Sequence, residues 1–205
     1  MTNPTLKLVT PSTENRPVAV REANASYRTR EHLTPSEVER LMEVAGKNRW
    51  GHRDATMVLV AYRHGLRVSE LIDLRWEQID FQTATLHVRR VKKGTSATHP
   101  ILGDELRALR RLQREQEPKS PFVFTSERGV PFSTSGFAHL VDRAGKTAGI
   151  EFKVHPHMLR HACGFKLAND GHDTRSLQAY LGHKNIQHTV RYTELSPTRF
   201  KNFWR

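Results

Sequence analysis

The sequence predicts a mainly α fold with one small antiparallel β-sheet, an α+β class, in a single ordered domain that follows an N-terminal arm. Three observations carry this. Apolar residues recur at helical spacing over most of the chain from residue 33 onward. Between about residues 78 and 102 the period drops to two. Capping residues and glycines punctuate the helical stretches.

Residues 1–31 read as a flexible basic arm. Pro4, Pro11 and Pro17 interrupt it, and Leu6, Leu8 and Val9 follow no sustained period. Order begins at LTPSEVERLMEVAG. Thr34 is a good N-cap, Pro35 suits the first helical position, and Glu37 completes a capping box. Val38, Leu41, Met42 and Ala45 form its apolar face, and Gly46 ends it. The next helix, about 53–64, is apolar nearly all round through Met57, Val58, Leu59, Val60 and Ala61, so it is expected at the centre of the core. Gly65 breaks it and VSELIDL restarts, which places Arg67 at a helix-to-helix junction.

In TLHVRRV, Leu86 and Val88 alternate with polar neighbours, and Arg90 continues the same register. KKGTS makes a turn with Lys93 at its tip, and ATHPIL returns, giving a sheet of two or three strands. A helix over 104–116 turns Leu106, Leu109 and Leu112 inward. PFVF is a short extended or buried piece, and SERGVPFS is a loop. Ser133 or Thr134 opens a helix through Ala148. Helices follow at about 156–169, 173–181 and 186–193, with a last turn at 197–204.

Charge bounds the partners. Lys and Arg total 33 against 21 acids, a net charge of +12. Basic side chains on phosphates release counterions, so a polyanion is the first expected partner. A membrane surface is disfavoured, because no polybasic block adjoins an amphipathic anchor and no apolar run reaches the roughly 18 residues a span needs. The opening residues lack the apolar core of a secretion signal. The lone Cys163 cannot form an intrachain disulfide, which fits a reducing cytosol. A cytoplasmic, nucleoid-associated location is expected.

The stretch VHPHMLRHACGFKLANDGHDTRSLQAYLGHKNIQHTVRYT, residues 154–193, holds His157, Arg160, His183 and Tyr192. Cutting a phosphodiester with a side-chain hydroxyl needs residues of these types. The pentavalent transition state gains negative charge, and two guanidinium forks can neutralise it. A phenol titrates near about 10, so it needs a proton acceptor such as histidine. The 5′ oxygen leaves poorly unless an acid such as lysine protonates it. The phosphotyrosyl link then stores the bond energy for religation.

The motifs HGLRVSEL, VKKG, HPHMLRHACG, LGH and HTVRYT, in this order and spacing, resemble those of the tyrosine recombinases, the phage-integrase type, over residues 33–195. HPHMLRHACGFKLANDG with TVRYT, and KKGTSATHPIL, most resemble the small recombinases that invert a fimbrial promoter segment. The resemblance implies the catalytic-domain fold over residues 32–205. It implies site-specific recombination through a 3′-phosphotyrosyl intermediate, no cofactor and no metal, and a homotetramer on double-stranded DNA. By it Arg67 and Arg160 clamp the scissile phosphate and Lys93 protonates the leaving oxygen. His157 accepts or orients the nucleophile's proton, His183 hydrogen-bonds a non-bridging oxygen, and Tyr192 attacks. Glu70 orients the cations, and Lys92 rivals Lys93. The arm cannot supply the N-terminal helical domain that most members carry, so DNA-bending accessory proteins are expected.

Plainer readings stand beside these. His157 and His161 could suggest zinc by their spacing, but no third ligand stands at motif spacing. His161 reads as a satisfied buried histidine, and Cys163 as packing. Tyr62 and Tyr180 read as core or edge aromatics, and Tyr192 alone would read as surface. Phe200, Phe203 and Trp204 either fold back on their own core or dock on a neighbouring protomer. Integration or excision of a mobile element, relaxation of DNA, and a DNA-binding regulator with a dead site remain rival functions.

Overall fold

A computed structural model describes residues 30–90 and 94–194. The arm over 1–29, the turn carrying Lys92 and Lys93, and the C-terminal segment with Phe200, Phe203 and Trp204 lie outside the described residues.

Helix α1 spans Pro35–Gly46 and starts as its sequence dictates. The Glu37 amide donates to Thr34 Oγ1 at 3.3 Å, and the Thr34 amide donates to Glu37 Oε2 at 2.8 Å. Helix α2, Gly51–Arg63, follows after a turn so tight that a Cβ at Gly51 would lie 1.9 Å from the Gly46 carbonyl oxygen. Met57, Val58, Val60 and Ala61 are buried, and α2 packs against α1, helix α4 (Gly103–Glu115) and helix α6 (Pro156–Asn169). It is the central helix its composition predicts, because an all-round apolar surface is stable only when surrounded.

Helix α3, Val68–Ile72, restarts after Gly65. Gly65 has φ +55°, and a Cβ there would lie 2.5 Å from Leu181 Cδ2, so the junction is both left-handed and pressed against the later helices. A three-stranded antiparallel sheet follows in the order β1 (Ile79–Asp80), β2 (Thr85–Val88) and β3 (Ala97–Pro100). Leu86 pairs with His99 and Val88 with Ala97. The PFVF piece is extended: the Trp76 amide donates to the Pro121 carbonyl at 3.0 Å and the Val123 amide to that of Leu74 at 2.8 Å.

Helix α5, Thr134–Thr147, is capped by Ser133, whose Oγ accepts from the Gly136 amide at 2.9 Å. Helices α7 (Thr174–Leu181) and α8 (Gln187–Glu194) pack on α6 and on each other. Asp173 caps α7, and Gly182 ends it at φ +64°. Tyr180, half-buried, donates its hydroxyl to the Arg63 carbonyl at 2.9 Å and so ties α7 to the end of α2. Cys163 is buried, and that burial pushes its thiol up to about 12, which suits packing rather than reactivity.

Two glycine settings, Gly51 and Gly149, give expectations of different size. Gly51→Ala forces backbone apart at the α1–α2 turn and is expected to cost about 2–4 kcal/mol. Gly149→Ala meets no atom within 4 Å but sits at φ +68°, and is expected to cost only about 1–2 kcal/mol. Urea unfolding of the two variants, compared with the parent, checks the ranking.

Candidate active site

The junction after α2, the first half of α6, the turn after α7 and α8 converge on one region. Arg67 stands immediately before α3, with its side chain about a third exposed. Its amide donates to Glu70 Oε2 at 2.9 Å, and its Nη1 donates to Glu70 Oε1 at 2.7 Å. Glu70 is itself buried. Burial alone would raise its pKa, but the Arg67 amide, the Arg90 charge and the Arg67 guanidinium more than offset this and hold it below the ordinary range.

Arg160 is 1% exposed on α6. Its Nη1 donates to the Gly65 carbonyl, and its Nη2 donates to the Leu181 carbonyl at 2.7 Å. It therefore bridges the junction that carries Arg67 and the turn that carries His183. Burial, then the charges of Arg67 and Arg90, bring its pKa down to about 10, so it stays cationic at neutral pH. Each Nη carries two protons, so one on each remains for a ligand.

His183 follows the left-handed Gly182, and its Nδ1 lies 2.8 Å from Thr189 Oγ1 on α8. That contact orients the ring. Arg67, His183, Arg175, Lys184 and His188 help line a cleft of about 700 Å³. Its cations make it suited to an anion. His157, exposed in the first turn of α6, packs edge-on to His161 with ring centroids 4.5 Å apart. Desolvation, then Arg160 and His155, push its pKa below the ordinary value.

Tyr192 is not a surface residue: it is 2% exposed. The correction has a simple cause. Gly164 on α6 leaves room for the ring, since a Cβ there would lie 2.8 Å from Tyr192 Cε2 and Cζ. Phe165 meets the ring edge-on with centroids 5.0 Å apart, and His183 stacks at 6.3 Å. The hydroxyl lies 2.9 Å from His161 Nδ1. Burial brings the His161 pKa down to about 3, so the ring is neutral, and its Nδ1 and the phenol oxygen share one hydrogen bond. Burial also raises the phenol's pKa, against the nearby charge of Arg160.

The sequence-predicted residues Arg67, Glu70, Arg160, His157, His183 and Tyr192 thus gather in one region. Lys93 and Lys92 lie outside the described residues. Two residues bonded to this set were missed. His161 is buried and satisfied as expected, but its partner is Tyr192; its place one residue after Arg160 was the available signal. Arg90 is buried with Glu70, and the signal was a charged residue in register with the inward Leu86 and Val88. Among the described residues no group of three or more His, Cys, Asp and Glu is arranged to hold a metal ion.

The chain is similar to known proteins over most of its length. Residues 31–199 match the family model described as "Phage integrase family". The chain is 42% identical over 180 residues to the type 1 fimbriae regulatory protein FimE of Escherichia coli K12, covering 85% of this chain and 91% of that protein. It is 42% identical over 184 residues to FimB of the same strain, covering 88% and 92%. The crystal structure of XerA recombinase superposes with a TM-score of 0.72 at 30% identity, covering 84% of this chain and 63% of that one.

The buried histidines set a pH dependence. Burial holds His99, His161 and His183 near 3, against an ordinary 6.5. Below pH 6.5 the unfolded chain takes up protons at these sites that the folded chain refuses. Stability is therefore whole above about pH 6.5 and falls as the pH drops toward 3. Urea midpoints measured from pH 7.5 to 4.5 are expected to decline, and His161→Phe is expected to flatten part of that decline. A midpoint independent of pH would contradict the assignment.

Proposed function

The chain belongs to the phage integrase family, and from that premise we propose how its residues carry out recombination. It is a tyrosine-type site-specific DNA recombinase. The observation that carries the residue assignment is the double hydrogen bond from Arg160 to the Gly65 and Leu181 carbonyls, which brings the settings of Arg67 and His183 together beside Tyr192.

In this reading a DNA phosphate enters the cleft beside Arg67 and His183. Arg67 and the unused protons of Arg160 take the charge on the non-bridging oxygens. His183 donates to one of those oxygens. Tyr192 attacks phosphorus, its proton passing to a histidine, with His157 in that role. The bond from phosphorus to the 5′ oxygen breaks, and Lys93 supplies the proton that oxygen takes. A 3′-phosphotyrosyl link and a free 5′ hydroxyl result, and a 5′ hydroxyl from the partner strand reverses the step. Tyr192 is buried and bonded to His161 in the described state, so α8 moves before attack.

The likeness to FimE and FimB over nearly their whole length supports inversion of a short DNA segment, and the working form in this reading is a homotetramer on paired sites. Accessory DNA-bending proteins assist a small basic protein of this kind. Integration or excision is the competing outcome, and a substrate with inverted against direct sites separates them by product.

A nicked duplex carrying the cognate site traps the covalent step. A slowed protein–DNA band is expected on a denaturing gel with chelator and without ATP, and it is expected to vanish in Tyr192→Phe. An adduct in that variant would remove Tyr192 from the role. Lys93→Ala is expected to slow cleavage by about 10²-fold, and a 5′-thio leaving group, which needs no acid, is expected to restore it. Restoration in Lys92→Ala instead would move the role to Lys92.

A further inference from the structure

Arg90 belongs to none of the motifs that identify the site, yet its side chain has no solvent exposure. Its Nη1 donates to Glu70 Oε2 at 2.8 Å. Its Nη2 donates to the Tyr180 carbonyl at 2.5 Å and lies 3.4 Å from that of His64. Arg160 takes the next carbonyl on each strand of chain, Gly65 and Leu181. Two guanidinium groups thus stitch residues 64–65 to residues 180–181. The first pair precedes Arg67, and the second precedes His183.

The surroundings are shaped for this side chain. A Cβ at Gly94 would lie 2.9 Å from Arg90 Cβ, and one at Gly182 would lie 2.7 Å from its Cγ and Nε. Both glycines stand where only glycine admits the arginine. Burial of the cation is unfavourable, and among the described residues its Nε has no hydrogen-bond partner. An apolar side chain would fill the same space at less desolvation. What an apolar side chain lacks is the link from Arg90 through Glu70, whose other oxygen holds Arg67 at 2.7 Å.

We propose that Arg90 is a positioning residue for strand cleavage: through Glu70 it fixes Arg67, and through the Tyr180 carbonyl it fixes the turn presenting His183. The inference rests on the roles given above to Arg67 and His183. Lysine cannot replace it, because a single ammonium does not span a carboxylate and a carbonyl in the divergent directions that a planar fork reaches.

The test uses the full chain, single-turnover cleavage of the nicked duplex, and a second duplex with a neutral methylphosphonate at the scissile position. Arg90→Lys is expected to slow cleavage of the phosphodiester by about 10–100-fold, the scale of a displaced catalytic donor. DNA affinity is expected to change by about twofold or less, since no DNA-facing group is removed. On the methylphosphonate, which carries no charge for Arg67 to neutralise, the defect is expected to shrink severalfold. In an Arg67→Lys background, Arg90→Lys is expected to add little further loss.

A purely structural role predicts equal slowing on both duplexes and additive loss with Arg67→Lys, and either result overturns the proposal. Should Arg90→Lys fail to fold by circular dichroism, Arg90→Met with Glu70→Gln leaves no full buried charge unpaired. The same comparison of duplexes then decides, with equal slowing again overturning it. Arg67→Lys cleaving at the parental rate would remove the assignment of Arg67 itself. A slow Arg67→Lys beside a fully active Arg90→Lys would overturn this inference alone.

Discussion

A single buried carboxylate shared by two arginines holds the active region together. Glu70 gives Oε1 to Arg67 and Oε2 to Arg90, with its own side chain 1% exposed. Removing such an ion from water costs several kcal/mol. The cost is met here because both oxygens accept charged donors, and the Arg67 amide adds a third bond. The result is an orienting device more than a source of stability. Arg67 is held at a fixed place while its remaining donors stay partly exposed toward the cleft.

The same logic explains Arg160. A fully buried guanidinium spends one proton of each terminal nitrogen on a backbone carbonyl, and those carbonyls belong to segments more than a hundred residues apart. The cation that would act on phosphate is therefore also a structural brace. The geometry proposed for catalysis and the packing of α6 against the Gly65 junction and the α7 turn are one construction. The tyrosine is different. Gly164, Phe165, His161 and His183 enclose it, and burial keeps both phenol and imidazole neutral. In the role proposed for Tyr192 this arrangement guards the phenol rather than activating it, and the proposed attack then needs DNA binding to shift the enclosure.

Helices were legible wherever periodicity and caps agreed. Thr34 with Glu37, Ser133 and Asp173 each start helices through their own side chains, which is local chemistry written in adjacent residues. The α2 start was less clear, since Trp50 offers no side-chain cap and the helix begins at Gly51, two residues before the expected start. The sheet was readable as alternation, but its first strand, Ile79–Asp80, is too short to show a period.

By itself the sequence determined the mainly α fold, the central apolar helix, the net positive charge and the ordered set of Arg67, Glu70, His157, Arg160, His183 and Tyr192. Each of these rests on neighbours close in the chain or on residue type. Only the tertiary structure decided that Tyr192 is enclosed, that His161 is its partner, and that Arg90 shares Glu70 with Arg67. Those relations join residues 31, 28 and 20 positions apart or more. Burial and hydrogen bonding at such separations are set by how helices cross, and no local period or cap encodes that.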